Sequence, residues 1–180
     1  LQEGKHRVLR KNDLAELTIT GMTAEGSGVG RVEGVAVFVA ASAPGDRLLI
    51  RIIKVSKNYA VGRVEKILEP SPARVPVDCS VFHPCGGCVY RHLSYAEECE
   101  IKRQKVQDAL RRIGEMDGFT TEPLAAAKES DRYRNKAQLP VGTGADGKLC
   151  VGFFAQRSHR IVPCSDCLLQ PKEFAVITES

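Results

Sequence analysis

Hydrophobic and polar positions alternate with a period of two over residues 14–21, where Leu17 and Ile19 are set among threonines. This is the pattern of a half-buried strand. Residues 35–39, 48–55 and 59–68 give three further strands, the last carrying Arg63 and Lys66 at its more polar positions. Gly26, Gly28, Gly30 and Gly34 punctuate the segment before the second strand and read as hairpin turns, and Pro44-Gly45-Asp46 is a turn before the third. Short strands separated by Gly and Pro turns, with no helical period, predict a small closed or nearly closed antiparallel β-barrel over residues 13–68.

The period then changes. Residues 69–76 hold Pro70, Pro72 and Pro76, which exclude a helix and mark residues 69–78 as a semi-rigid linker. Ser94 followed by Glu97 is a capping box. Tyr95, Cys99, Val106, Leu110 and Ile113 then recur at helical spacing, and Gly114 fits the C-cap. Beyond this long helix, strands are expected at 137–141 and 149–154 around the turn 144–147, and Pro171-Lys172-Glu173-Phe174 opens another helix. The fold class is α+β, with residues 79–180 forming a cysteine loop, a helix and the beginning of a mostly β domain.

Composition narrows the functional classes. At 180 residues and 43% hydrophobic content the chain can bury a core, and no apolar run approaches the roughly 18 residues of a membrane span. The expected location is the cytoplasm. The chain starts at Leu1 and stops at Ser180 soon after a helix opens, so it reads as a fragment of a longer protein. A net charge of +4 permits a nucleic-acid partner without requiring one. Seven cysteines, an odd number, argue for metal binding over a disulfide framework.

Three of those cysteines, Cys79, Cys85 and Cys88, stand at C-x5-C-x2-C spacing with Gly86-Gly87 between the last two, and Cys164 and Cys167 form a C-x2-C pair downstream. Spacing leaves two readings. Cys85 and Cys88 with Cys164 and Cys167 make a tetrathiolate zinc site, which leaves Cys79 idle. Alternatively, Cys79, Cys85 and Cys88 with one later cysteine hold an iron-sulfur cluster. Cys99 and Cys150, in a helix stripe and a strand pattern, read as small buried hydrophobes. His83, His92 and His159 read first as loop histidines satisfied by backbone. The densest basic stretch, Asp131-Arg132-Tyr133-Arg134-Asn135-Lys136, sets an aromatic that can stack on a base among cations that can hold phosphates.

The series Gly26-Ser27-Gly28-Val29-Gly30-Arg31, Gly34, Val37-Phe38-Val39 and Pro44-Gly45-Asp46 resembles the TRAM domain, an OB-like RNA-binding barrel. Cys-x5-Cys-Gly-Gly-Cys before His92, together with Tyr133-Arg134-Asn135-Lys136 and Ser158 to Cys167, resembles the RNA uracil-5-methyltransferases of the TrmA/RumA type. The resemblance implies a 4Fe-4S cluster on Cys79, Cys85, Cys88 and Cys167, with Cys164 an extra thiol and Arg91 standing where many relatives carry glutamine. It implies RNA contacts from Arg31, Arg132, Tyr133, Arg134, Asn135, Lys136 and His159, with 23S rRNA as partner, no membrane, and a monomeric state.

In that family a cysteine thiolate adds to C6 of uracil, and the methyl group comes from S-adenosylmethionine. The chain shows neither a Gly-rich turn in a βαβ unit nor a nucleophilic cysteine in the family's setting, so those functions are expected beyond Ser180. No catalytic residue is assigned within the chain, which alone is expected to be inactive. The alternatives are a free-standing RNA-binding module with a structural zinc, and an iron-sulfur redox sensor.

Overall fold

A computed structural model describes residues 9–144 and 147–179. The described chain clusters into two units: residues 9–75 with 92–123, and residues 76–91 with 124–179.

The first unit is built on six strands: β1 (Leu14–Thr18), β2 (Gly21–Met22), β3 (Ser27–Val32), β4 (Val35–Ala40), β5 (Arg47–Val55) and β6 (Tyr59–Glu69). They form one sheet in the order β1-β5-β6-β4-β3-β2. β1 and β2 follow each other in the chain yet occupy opposite edges of that order, so the sheet must curl into a half-barrel. Hydrogen bonds from Ile19 N to Asp46 O (2.9 Å) and from Thr20 N to Val29 O (2.8 Å) carry the chain from one edge to the other. Inward-facing Leu17, Ile19, Val37, Val39, Leu48, Ile50, Ile52 and Ala60 fill the interior, none more than 3% exposed. The alternation of these residues with outward-facing neighbours is the predicted period of two, now with one face dry.

Two details depart from expectation. The barrel is not wholly antiparallel, because β4 pairs in parallel with β6. The β5–β6 hairpin inserts its second strand between β5 and β4, and that strand then runs in the direction of β4. Nor do all four glycines make turns. Gly34, with Glu33 also at positive φ (84° and 49°), forms the two-residue turn between β3 and β4 that hairpins favour, and Gly26 has φ 78°. Gly28 and Gly30 lie inside β3, where a Cβ would stand 2.0 Å from Ser42 Oγ and 2.3 Å from Thr18 O respectively. They are strand glycines that let the curled edges approach.

The same unit contains helix α1 (Tyr95–Arg112). Ser94 caps it, its side chain accepting from Glu97 N at 3.3 Å, and Glu97 and Glu98 in the first turn with Arg111 and Arg112 in the last suit the helix dipole. The C-cap is Ile113 rather than Gly114, and the residue in the left-handed region is Glu115 (φ 52°). No residue of α1 is fully buried; Val106 and Ile113, on its apolar stripe, are 50% and 84% exposed. It is also the longest helix described, and no described helix is long and apolar enough to cross a membrane.

The second unit carries β7 (Val141–Thr143), β8 (Leu149–Phe154) and β9 (Ile161–Pro163) in an antiparallel sheet, followed by α2 (Glu173–Glu179). The expected strand at 137–141 is reduced to β7, which starts at Val141 and pairs it with Val151. Ala145 and Asp146 of the expected turn lie outside the described residues. Cys150, Val162 and Phe82 are buried in this unit.

Candidate metal centre and nucleic-acid interface

Residues 80–84 fold as turns, with Phe82 N donating to Cys79 O (3.2 Å) and Cys85 N to Val81 O (2.9 Å). The loop is fixed to the end of β8. Cys85 forms a bridge with Ala155, and Gly86 N donates to Phe154 O at 3.0 Å. A Cβ at Gly86 would come within 3.1 Å of the Gln156 backbone, so the Gly-Gly pair serves a close backbone approach. Gly87 N donates to Cys85 Sγ at 3.3 Å.

Cys79, Cys85, Cys88, Cys164 and Cys167 are all half-buried and all belong to the second unit. Their thiols lie within electrostatic reach of one another. Burial first, and then the neighbouring thiols of Cys167, Cys85 and Cys79, push the Cys88 thiol above its usual range. Cys164 is pushed up to about 11 by burial and by Cys167, Cys79 and Cys85. Among the described residues, no three His, Cys, Asp or Glu side chains stand close enough to hold a metal ion as they are. Half-buried thiols whose anions repel one another form a donor set that a positively charged, thiophilic group would neutralise, which is the chemistry of iron-sulfur and zinc sites. The residues present fit such a group. Cys99, in the other unit, is half-buried, and Cys150 is buried.

Two arginines brace the segments that carry these thiols. Arg91, three residues after Cys88, reaches Asp78 through Nε and Nη2 (2.7 and 2.8 Å) and Asp131 through Nη1 and Nη2 (2.6 and 3.1 Å). Asp131 first and Asp78 second raise the Arg91 pKa, and Arg91 in turn holds the Asp78 carboxyl below its usual range. Arg132 (φ 57°) pairs with Asp166 and donates to the carbonyls of Cys167 (3.3 Å) and Gln170 (2.9 Å). Hydrogen bonding to Arg132 lowers the Asp166 pKa. Backbone bonds from Arg132 N to Leu168 O and from Arg134 N to Leu169 O, both 2.9 Å, lay the basic run along the Cys167 segment. Sequence reading did not identify Arg91, Asp131 and Asp166 as a brace; their partners lie 34 to 40 residues away.

Of the residues expected to touch RNA, Arg132 thus has its guanidinium engaged within the second unit. Tyr133, 60% exposed, and the exposed Arg134, Asn135 and Lys136 follow it along the same edge. His159 is exposed and packs edge-to-face with Phe154, centroids 5.3 Å apart. Arg31 belongs to the other unit, exposed on β3, with Nη1 donating to Gly34 O at 2.8 Å. His92, 2% exposed, donates from Nε2 to Ser42 O at 3.0 Å, the backbone-satisfied role read for it from sequence.

Residues 12–64 match the model of the TRAM domain. The curled sheet of the first unit is the part of the chain that carries that match. An uncharacterized RNA methyltransferase of Halalkalibacterium halodurans is 44% identical over 165 residues, 92% of this chain and 36% of that protein. One of Synechocystis is 44% identical over 164 residues, 89% of this chain and 35% of that protein. Among solved structures, the Pyrococcus abyssi tRNA (uracil-54, C5)-methyltransferase in complex with S-adenosyl-L-homocysteine superposes with a TM-score of 0.62 at 26% identity. That match covers 91% of this chain and 35% of the archaeal enzyme. Over about nine tenths of its own length the chain is thus similar to RNA methyltransferases, and it spans about a third of the length of the relatives it matches.

Proposed function

We propose that the chain is the N-terminal, RNA-holding portion of an S-adenosylmethionine-dependent RNA (uracil-5-)-methyltransferase, and that its second unit carries a 4Fe-4S cluster on Cys79, Cys85, Cys88 and Cys167. The observation that carries this reading is the convergence of two distant cysteine segments in one unit. A cluster gives Cys79 a role, whereas a zinc site on Cys85, Cys88, Cys164 and Cys167 would leave it idle. S-adenosylmethionine supplies the methyl group when bound, through parts of the enzyme other than these residues. The chain's own part is to hold RNA with the TRAM sheet and the Tyr133 to Lys136 edge, and to tie that edge to the thiol loop through Arg91 and Arg132. The resemblance points to 23S rRNA in the cytoplasm. The archaeal neighbour acts on uracil 54 of tRNA, which makes tRNA the competing substrate.

Anaerobic purification tests the cluster. Iron and sulfide should accompany the protein with a broad visible absorbance, Cys167→Ser should lose both, and Cys164→Ser should retain both. A colourless protein with one zinc per chain overturns the cluster, and loss of iron in Cys164→Ser but not in Cys167→Ser overturns the choice of fourth ligand.

A further inference from the structure

The inward face of the curled sheet is closed by aliphatic residues, but its outer face carries a feature that the basic residues picked out from sequence do not include. Phe38 on β4 and Tyr59 at the start of β6 form an edge-to-face pair, ring centroids 5.5 Å apart and planes at 72°. Phe38 is half-buried and Tyr59 is 36% exposed. Both point outward, since their neighbours Val37, Val39 and Ala60 are fully buried. Register places Phe38 in a row across the sheet: Val29 on β3, Phe38, Val61 on β6, then Lys54 on β5. Ser56 N donates to Tyr59 O at 2.8 Å, and the Ser56 side chain first and the Lys54 charge second lower the pKa of the Tyr59 hydroxyl. Exposed Lys57 sits in the turn just before Tyr59. On the same face of β6, Glu65 is taken up by Arg51 and Arg63 and does not cancel these lysines.

We infer that the Phe38–Tyr59 pair is a stacking platform for an unpaired nucleotide of single-stranded RNA, with Lys54 and Lys57 holding its flanking phosphates. The inference rests on the RNA-holding role proposed above and names the chemistry of that surface. Aromatic rings accept a base face that a duplex keeps stacked, and lysines on the neighbouring strand and turn supply the sequence-independent attraction to the backbone. Two rings near a right angle add a constraint, because a base lying on one presents its edge to the other. An apolar protein partner would use the rings but has no need of the flanking cations.

The test is binding of a fluorescein-labelled oligouridine of about ten nucleotides, against a blunt RNA hairpin, at low and moderate salt. The unaltered 180-residue chain is expected to prefer the single strand. Phe38→Ala and Tyr59→Ala are each expected to weaken that binding about 5- to 100-fold with the salt slope unchanged. Tyr59→Phe, which keeps the ring, should stay within about twofold, and Lys54→Ala should lower the slope by about one. Phe38→Leu keeps an apolar side chain in the strand and should still lose affinity, which separates stacking from folding. Wild-type affinity in Phe38→Leu and Tyr59→Ala, or equal binding of hairpin and single strand, overturns the platform while leaving RNA binding intact. Failure of the unaltered chain to bind either RNA overturns the RNA-holding role itself, and the platform with it.

Discussion

Asp46 shows how much one side chain can carry. Its carboxylate is fully buried and accepts from Ala43 N (2.7 Å), Ser71 N (2.9 Å) and the Arg74 guanidinium through Nε and Nη2 (2.8 and 2.7 Å). Burial alone would raise its pKa; the bond to Arg74, the two backbone donors and the Arg74 charge together hold it below the ordinary carboxylate value. A depressed folded pKa means stability that is complete above the unfolded value near pH 4 and fades as pH falls through the folded value. Asp46→Ala leaves Arg74 and two amides without their acceptor and is expected to cost about 3 kcal/mol at neutral pH. Asp46→Asn is expected to flatten the acid limb below about pH 4. Urea unfolding across that pH range measures both. From sequence, Pro44-Gly45-Asp46 was legible as a turn because turn chemistry is local. The partner Arg74, 28 residues on, lay in a stretch read only as linker, and that ion pair stitches the chain leaving β6 back onto the sheet.

At the scale of elements, strand β3 is the place where local and tertiary signals disagree. Its glycines look like turn residues by composition, yet two of them sit in the strand because the backbone and side chains of the β1 edge press against it. The obstruction at Gly30 is a backbone carbonyl, Thr18 O, whereas at Gly28 the nearest atoms belong to side chains, the Ser42 hydroxyl that donates to Val39 O at 2.8 Å and Ile19 Cγ2. Gly30→Ala is therefore expected to destabilise the first unit by about 2–3 kcal/mol, and Gly28→Ala by less. Thermal melts of the two variants check the order, and equal costs would show that the edges are freer to separate than the contacts imply. Helix α1 was legible from end to end apart from its last turn, since Ser94, Glu97 and the apolar stripe are all signals within one element. Sequence period told that the stripe exists but not that Ile113 at its end stays in water. The expected strand at 137–141 shrinks to β7 for the opposite reason: Pro140 has no N–H to give the ladder, so pairing with β8 begins at Val141, with Gly152 N donating to Pro140 O at 3.4 Å.

For the whole molecule, the arrangement of units was the least legible feature. The chain passes from one unit to the other after residues 75, 91 and 123, so each unit is assembled from separate stretches. Cysteine spacing singles out the two thiol segments as metal-type motifs, because ligand spacing is a local pattern. Their convergence depends on Arg91–Asp131 and Arg132–Asp166, contacts between segments that nothing local predicts. Because all five thiols belong to the second unit, loading with iron and sulfide is expected to raise amide exchange protection at residues 85–88, 131–134 and 166–170. Protection in β1 to β6 should stay unchanged. Exchange followed by mass spectrometry on metal-free and loaded protein checks this, and protection gained in β1 to β6 instead would place the coupling elsewhere.

The distance in sequence between the two thiol segments also sets a schedule. Cys79, Cys85 and Cys88 leave the ribosome about 80 residues ahead of Cys167, a delay of about 4–16 s at ordinary rates of synthesis. The curled sheet, complete by Glu69, can fold in that interval, while the early thiols wait without their distant partner and without the Arg132–Asp166 pair that holds it. Closing the thiol site is thus one of the last events in making this stretch of chain, and until then the three early cysteines depend on the reducing capacity of their surroundings.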